Sequence, residues 1–317
     1  MDTRMKSFVV RAVLVLVSAA VAASCGDGGP AATSATADPS AGLTADGTPH
    51  RVVAFTCAAV DIFRVLGLLD RVVAVEEDCP APGTEHAVKI RNDDHPGQVH
   101  IVQVESIMAM KPDLVIVKDD LREVFEGRGM RMLYSPPVLS METLPGFVTD
   151  IATAMGVADR GAAALDRMRR IEAEIAAVTA PLPKVRVYFE NNGVGRTAGN
   201  GTITDAMITL AGGENVIRRA GVAADDRSPN VRLNPEAVIA ADPEVILLGT
   251  FAPPMEEVIS RPGWDRISAV RNGRVHRVPE ERRYGTFGSP RCVEACRDMY
   301  VPWIHPELAT HEWKAGR

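Results

Sequence analysis

One segment of the sequence occurs twice. Residues 104–117 read VESIMAMKPDLVIV and residues 235–248 read PEAVIAADPEVILL; Glu105 is matched by Glu236, Ala109 by Ala240 and Pro112 by Pro243, at a constant offset of 131 positions. Each copy opens near a glutamate, passes through a short helical turn, meets a proline and ends in β-branched and leucine residues. Proline disfavours helix at the residue before it and cannot donate to a hydrogen-bond ladder, so it marks a boundary. The apolar run behind it is short and β-branched enough for a strand buried on both faces. One such unit in each half predicts two similar α/β lobes.

The rest of the chain fits that plan. Residues 51–56 (RVVAFT) read as a strand, 58–68 as a helix stopped near Gly67, and 71–75 (RVVAV) as a second strand, which together make a βαβ unit with parallel strands. A further short strand is expected within residues 127–134, before Ser135-Pro136-Pro137. Residues 144–180 carry apolar positions at helical spacing, interrupted by Gly156, with Arg167, Arg169, Arg170, Glu172 and Glu174 on the opposite face. This stretch ends at Pro181 and Pro183 and lies between the two halves, so it is the connector. The second half restarts with a strand at 185–190, a glycine-rich loop at 191–201 and a helix at 203–210. It closes with a strand near 273–278, a loop and a helix beginning near Arg291.

The first 25 residues have the layout of an export signal. Arg4, Lys6 and Arg11 precede or enter an apolar run, residues 8–23, that is short for a membrane span and ends in small residues and Cys25. Ala22-Ala23-Ser24-Cys25 resembles a bacterial lipobox, with alanine where that pattern prefers leucine; the resemblance implies a lipidated Cys25 as the mature N-terminus. Residues 26–49 are Gly, Ala, Ser, Thr, Pro and Asp with few large apolar side chains and read as a flexible tether. The expected organisation is a signal at 1–25, a tether at 26–49, an N-terminal lobe at 50–142, a connecting helix at 143–181 and a C-terminal lobe at 182–317. A net charge of −6 gives no basic footprint for nucleic acid.

In order and spacing these parts resemble the substrate-binding proteins of ABC importers for iron–siderophore complexes, haem and cobalamin. The resemblance rests on RVVAFTCAAVDIFRVLGLLDRVVAV, EEDCP, the two repeated units, LAGGENV, WDRISAVRNGRVHRV, SPRCVEACRDM and HPEL, and covers roughly residues 51–308. It implies two Rossmann-like α/β lobes joined by one long helix, a ligand cleft between them, and no catalysis. It also implies that Glu105 and Glu236, one per lobe, dock into arginine pockets of a permease dimer that works with an ATPase. The alternative for each glutamate is favourable placement at the positive end of its own helix. The protein is then expected to be an exported monomer, lipid-anchored in the periplasm or at the outer face of the cytoplasmic membrane, and to need no cofactor.

Open α/β sheets bind ligands outside the carboxyl ends of their strands. That rule nominates Cys57, Asp61, Glu77, Cys79 and Lys118 (with Asp119) in the first lobe, and Arg196, Thr197, Thr250, Phe251, Arg282, Arg283 and Tyr284 in the second. The basic members suit the oxygens of an anionic chelate, since guanidinium forks match carboxylate or catecholate. A ferric siderophore is therefore the expected ligand, with haem and cobalamin as alternatives: both need broad apolar contacts, and aromatic residues make up only 5% of the chain.

The sequence around Gly193, Gly195 and Gly199 follows a strand but lacks a dinucleotide fingerprint, and no nucleophile elbow, Walker sequence or HExxH occurs. The cysteines leave a different class open. Cys57 and Cys79 follow successive strands, and Cys292 and Cys296 are four apart on one helix face. The four thiols facing one cleft would ligate a soft metal ion or a redox cluster, the latter in an enzyme of nitrogenase-like architecture; otherwise they are disulfides or buried thiols.

Overall fold

The computed structural model describes residues 47–77, 79, 82–90, 104–223, 228, 230–283 and 288–315. The signal and tether expected up to residue 46, with Cys25, lie outside the described residues, as does Tyr284. The first lobe is a five-stranded parallel sheet. Its strands are β1 (Val52–Ala54), β2 (Val72–Glu76), β3 (Val88–Ile90), β4 (Leu114–Lys118) and β5 (Met132–Ser135), in the order β3-β2-β1-β4-β5. Helix α1 (Cys57–Val65) follows β1, α2 (Val104–Ala109) precedes β4, and α3 (Arg122–Phe125) lies between β4 and β5.

Two helices lead out of this lobe. Helix α4 (Leu144–Ala154) packs against α5 (Ala158–Thr179), and Gly156, at φ +67°, makes the break between them. The connecting segment expected at 143–181 is thus a helical pair, in which α5 alone, 22 residues long, spans about 33 Å at 1.5 Å per residue.

The second lobe has strands β6 (Val185–Glu190), β8 (Gly213–Asn215), β10 (Val245–Leu248) and β11 (Val275–Arg277), all parallel, in the order β11-β10-β6-β8. A two-residue antiparallel ribbon pairs β7 (Arg196–Thr197), inside the glycine-rich loop, with β9 (Val231–Arg232). The helices here are α6 (Ile203–Leu210), α7 (Pro235–Ala241), α8 (Met255–Ile259) and α9 (Ser268–Arg271). The chain closes with α10 (Cys292–Ala295), a π-helical turn (Cys296–Tyr300) and α11 (Val301–Ile304).

The repeat is structural as well as textual. Leu114–Val117 and Val245–Leu248 are buried on both faces, as their β-branched runs predict. The residues before the two prolines, Lys111 and Asp242, both adopt left-handed backbone, at φ +48° and +42°. One residue after each proline, a carboxylate clamps the neighbouring strand. Asp113 accepts the N–H groups of His50 (2.7 Å) and Arg51 (2.9 Å) just before β1, and Glu244 accepts that of Arg186 (3.0 Å) in β6. Glu105 and Glu236 occupy the first turns of α2 and α7, and both are exposed.

The core does not divide where the sheets do. One apolar cluster runs from β1, α1, α4 and α5 through β6, α6 and β10 to the closing helices, including Phe63, Ile151, Ile175, Met207, Val293 and Tyr300. The closing helices therefore pack on material from both halves. Smaller clusters fill the outer face of each sheet, around Phe125 in the first lobe and Trp264 in the second.

Candidate ligand cleft

In the first sheet the chain reverses its winding direction between β1 and β4, the place where the loops part and a crevice opens. A cleft of about 790 Å³ lies there. From the first lobe it is lined by Thr56 and Cys57 after β1, Glu76 at the end of β2, Lys118 at the end of β4, and Ser135 to Leu139 at and after β5. The second lobe supplies Phe189, Asn191 and Asn192 at the end of β6, Arg196 on β7, Thr202 to Thr204 at the start of α6, and Asn230, Phe251 and Arg283.

Local chemistry fixes these positions. Thr56 caps α1 by accepting the N–H of Ala59 (3.1 Å), which sets the direction in which Cys57 leaves β1. Thr202 caps α6 in the same way. The buried Asp205 behind it accepts from Gly201 N–H (2.9 Å), Asn215 Nδ2 (3.0 Å) and Arg218, so the cleft-facing start of α6 is held from below. Asn191 Oδ1 accepts the N–H of Phe251 (3.0 Å), and Asn192 Nδ2 donates to Asn230 Oδ1 (2.8 Å), tying together the loops of the second lobe.

Gly195 sits at φ +70°, and a Cβ there would lie 2.4 Å from the carbonyl oxygen of Leu233. Gly195→Ala combines left-handed strain of about 1–2 kcal/mol with overpacking of about 1–3 kcal/mol. A loss of about 2–5 kcal/mol is expected, measured as a lowered denaturant midpoint with unchanged slope.

Charge in the cleft is sparse. Lys118 and Arg196 are exposed, and among the described residues neither forms an ion pair. The buried Arg283 is paired with Glu280 (2.9 Å) and lies over the Phe251 ring at 4.3 Å. The Cys57 thiol is pushed well above its usual pKa by its hydrogen bond with Cys79 and by burial.

Of the residues nominated from sequence, Cys57, Lys118, Arg196, Phe251 and Arg283 line the cleft. The others with described positions do not. Asp61 is one helical turn further along α1 and points into the closing segment, where it accepts from Ser289 Oγ and pairs with Arg291 (3.0 Å) and Arg64 (3.3 Å). Arg282 turns to Asp298 (3.0 Å), because adjacent residues of the 3-10 turn leave it in different directions and only Arg283 faces inward. Glu77 is exposed outside the cleft, Thr197 is buried in the ribbon, and Thr250 is partly buried behind the cleft-lining Phe251.

The four thiols do not share the cleft. Cys292 and Cys296 are fully buried in the common core, where burial pushes Cys292 up to about 12 and raises Cys296 well above the usual thiol range, and Cys296 Sγ donates to the Met207 carbonyl (3.4 Å). Cys79 is buried next to Cys57. Among the described residues no three His, Cys, Asp or Glu side chains gather as a metal ion would require.

The cleft residues that sequence reasoning missed are mostly amides, hydroxyls and prolines. The glycine-rich loop and the Ser-Pro-Pro after β5 marked their neighbourhoods, but nothing in their chemistry set them apart from ordinary loop-formers.

Comparison with known proteins agrees with this geometry. The family model described as "Periplasmic binding protein" matches residues 52–281. The chain belongs to the periplasmic binding protein family. A cobalamin-binding protein of Halobacterium salinarum is 28% identical over 227 residues, covering 69% of this chain and 58% of that protein. The chain thus spans little more than half the length of that curated relative. The periplasmic haem-binding protein RhuT from Roseiflexus sp. RS-1, in apo form, has a TM-score of 0.69 at 22% identity, covering 80% of this chain and 98% of that one. Helicobacter pylori CeuE with Ni(II) bound has a TM-score of 0.68 at 16% identity, covering 84% and 86%. At these identities the solved structures establish the fold, two α/β lobes of the periplasmic binding protein type.

Proposed function

We propose that this periplasmic binding protein captures a cobalamin-type metal chelate between its lobes and delivers it to an ABC permease. The observation that carries this reading is the cleft lining. Carboxamides (Asn191, Asn192, Asn230) and hydroxyls (Thr56, Ser135, Thr202, Thr204) surround apolar surface from Phe189, Leu139 and Ile203, and two cations, Lys118 and Arg196, have no ion-pair partner among the described residues. A corrin ring presents neutral amides around an apolar macrocycle and a single phosphodiester, so amide partners and one or two cations complement it. The similarity to a protein named for cobalamin binding supports the same choice. A ferric siderophore is the second reading, favoured by the cluster of Lys118, Arg196 and Arg283. Glu105 and Glu236, exposed and related by the repeat, are the proposed contacts with the two permease subunits, where charged pairs set register and encounter rate. Cys25 is the proposed lipid anchor.

The test is thermal unfolding with cyanocobalamin, haemin or a ferric tricatecholate. A ligand that binds only the folded state adds about 2.7 kcal/mol of apparent stability at 100 times its Kd. Cyanocobalamin is expected to raise Tm and the other two to leave it in place. Arg196→Ala should weaken cyanocobalamin binding about tenfold, the loss of one charge-assisted hydrogen bond of about 1.5 kcal/mol. A shift with the tricatecholate alone replaces this reading by the siderophore one.

A further inference from the structure

One cysteine, Cys57, lines the cleft, and a second, Cys79, is buried in the core cluster that Cys57 packs against. Cys57 is the first residue of α1, directly behind β1, and is half-buried in the lining of the cleft. Cys79 lies just past β2, where its N–H donates to the Glu76 carbonyl (3.0 Å), and it is 3% exposed. β1 and β2 are neighbouring parallel strands with Ala54 opposite Val75, so their carboxyl ends deliver both cysteines to the same end of the sheet. Both belong to the same apolar cluster, Cys79 within it and Cys57 packed against it. Adjacent strands run about 4.8 Å apart, within the roughly 4.4–6.8 Å between Cα atoms that a disulfide spans. The other pair is placed differently: Cys292 and Cys296 occupy successive turns of one helical segment, are wholly buried, and have one thiol committed to a backbone carbonyl.

We propose that Cys57 and Cys79 form a reversible thiol–disulfide pair, so that the cleft presents a free thiol only when the pair is reduced. The oxidant is a disulfide RSSR, either a small-molecule disulfide or that of a thiol–disulfide oxidoreductase. The more accessible sulfur, Cys57, attacks one sulfur of RSSR as the thiolate and expels RS⁻. The buried Cys79 thiolate then attacks the mixed disulfide at Cys57 and expels the second RS⁻. Two protons leave the protein thiols and two RSH form, while two electrons pass from the protein sulfurs to RSSR. Since the thiolate attacks and Cys57 is held protonated, oxidation accelerates as pH rises. Closing the bond joins the start of α1 to the turn after β2 and removes a polarizable donor from beside Glu76. The proposal does not depend on which chelate the cleft accepts.

The experiment is a thiol map of the purified full chain, incubated with oxidised glutathione, alkylated and digested with trypsin. Cys57 falls in peptide 52–64, Cys79 in 72–89, and Cys292 and Cys296 together in 292–297. The expected product is peptide 52–64 joined to 72–89 and separated again by dithiothreitol, with 292–297 alkylated at both cysteines. Brief iodoacetamide treatment of the folded protein should label Cys57 before oxidation and not after. Cys57→Ser and Cys79→Ser should each abolish the joined product. The proposal is overturned by a disulfide within 292–297 in its place, by glutathione retained on Cys57 with Cys79 still alkylatable, or by no joined peptide once the redox buffer has equilibrated.

Discussion

Replacing Arg261 by alanine is expected to destabilise the protein by about 3–5 kcal/mol, the usual cost of leaving one member of a buried ion pair alone. Glu190, the last residue of β6, has no exposed surface, and both of its oxygens accept from the guanidinium of Arg261, at 2.7 and 2.8 Å. The Tyr188 hydroxyl also donates to Glu190 (2.7 Å), and burial beside that carboxylate raises the phenol well above its usual pKa, so it remains a donor. Arg261 itself lies over the Trp264 ring, 4.7 Å from its centre. Without the guanidinium, a carboxylate stays in a dry interior with one hydroxyl for company. The melting temperature should fall on the order of 10 °C, at roughly 2–4 °C per kcal/mol for a chain of this size. Adding Glu190→Gln to Arg261→Ala should recover about 1–2 kcal/mol, because the amide still accepts from Tyr188 and carries no charge to desolvate. If the second change brought no recovery, the loss would belong to packing against Trp264 instead. The position matters for the cleft too, since Phe189 and Asn191 flank Glu190 and both line it.

Asp61→Ala should cost about 2–4 kcal/mol by a related mechanism. Asp61 is 8% exposed and joins α1 to residues 228 and 230 positions later, Ser289 and Arg291, with Arg64 completing its shell. The two arginines are only partly buried and can turn to water, so the loss falls mainly on the hydroxyl and on the polar gap left in the core. Asp61→Asn keeps an acceptor for Ser289 and should lose only about 1–2 kcal/mol. Chemical denaturation distinguishes the variants, and native-state hydrogen exchange locates the effect. Faster exchange in α10 and the π-helical turn, without a matching change in β4 and β5, identifies Asp61 as the tie to the closing segment. Acceleration confined to α1 and the first sheet, with the closing segment unchanged, assigns it a role within its own lobe.

The two-lobe architecture was legible because proline and doubly buried β-branched strands are local signals, and the sequence carries them twice. The strands that were not foreseen, β3, β8 and the β7–β9 ribbon, are two or three residues long and include Gly-Glu-Asn and Arg-Thr. Their pairing comes from backbone groups brought alongside by the rest of the fold, which leaves no periodicity to read. Within the cleft, the strand-end rule found residues immediately behind strands, such as Cys57 and Phe251, and over-reached one turn beyond. Whether Asp61 faces a ligand or a helix depends on where the last thirty residues return. The same holds for Arg282 and Arg283: both are basic and adjacent, and only the direction of one short turn separates the surface ion pair from the cleft wall. Asn191, Asn192 and Asn230 escaped notice because an amide in a loop has the same composition signal whether or not it faces a cavity.

The apolar cluster shared by both sheets and the closing helices has a temporal consequence. Asp61 in α1 meets its partners Ser289 and Arg291, and the shared cluster gains its last members, only when the segment from Ser289 onward has folded back. Contacts of such long sequence separation defer the loop-closure cost to the end of folding and slow it. The segment that completes the shared cluster lies C-terminal to every other element that contributes to it.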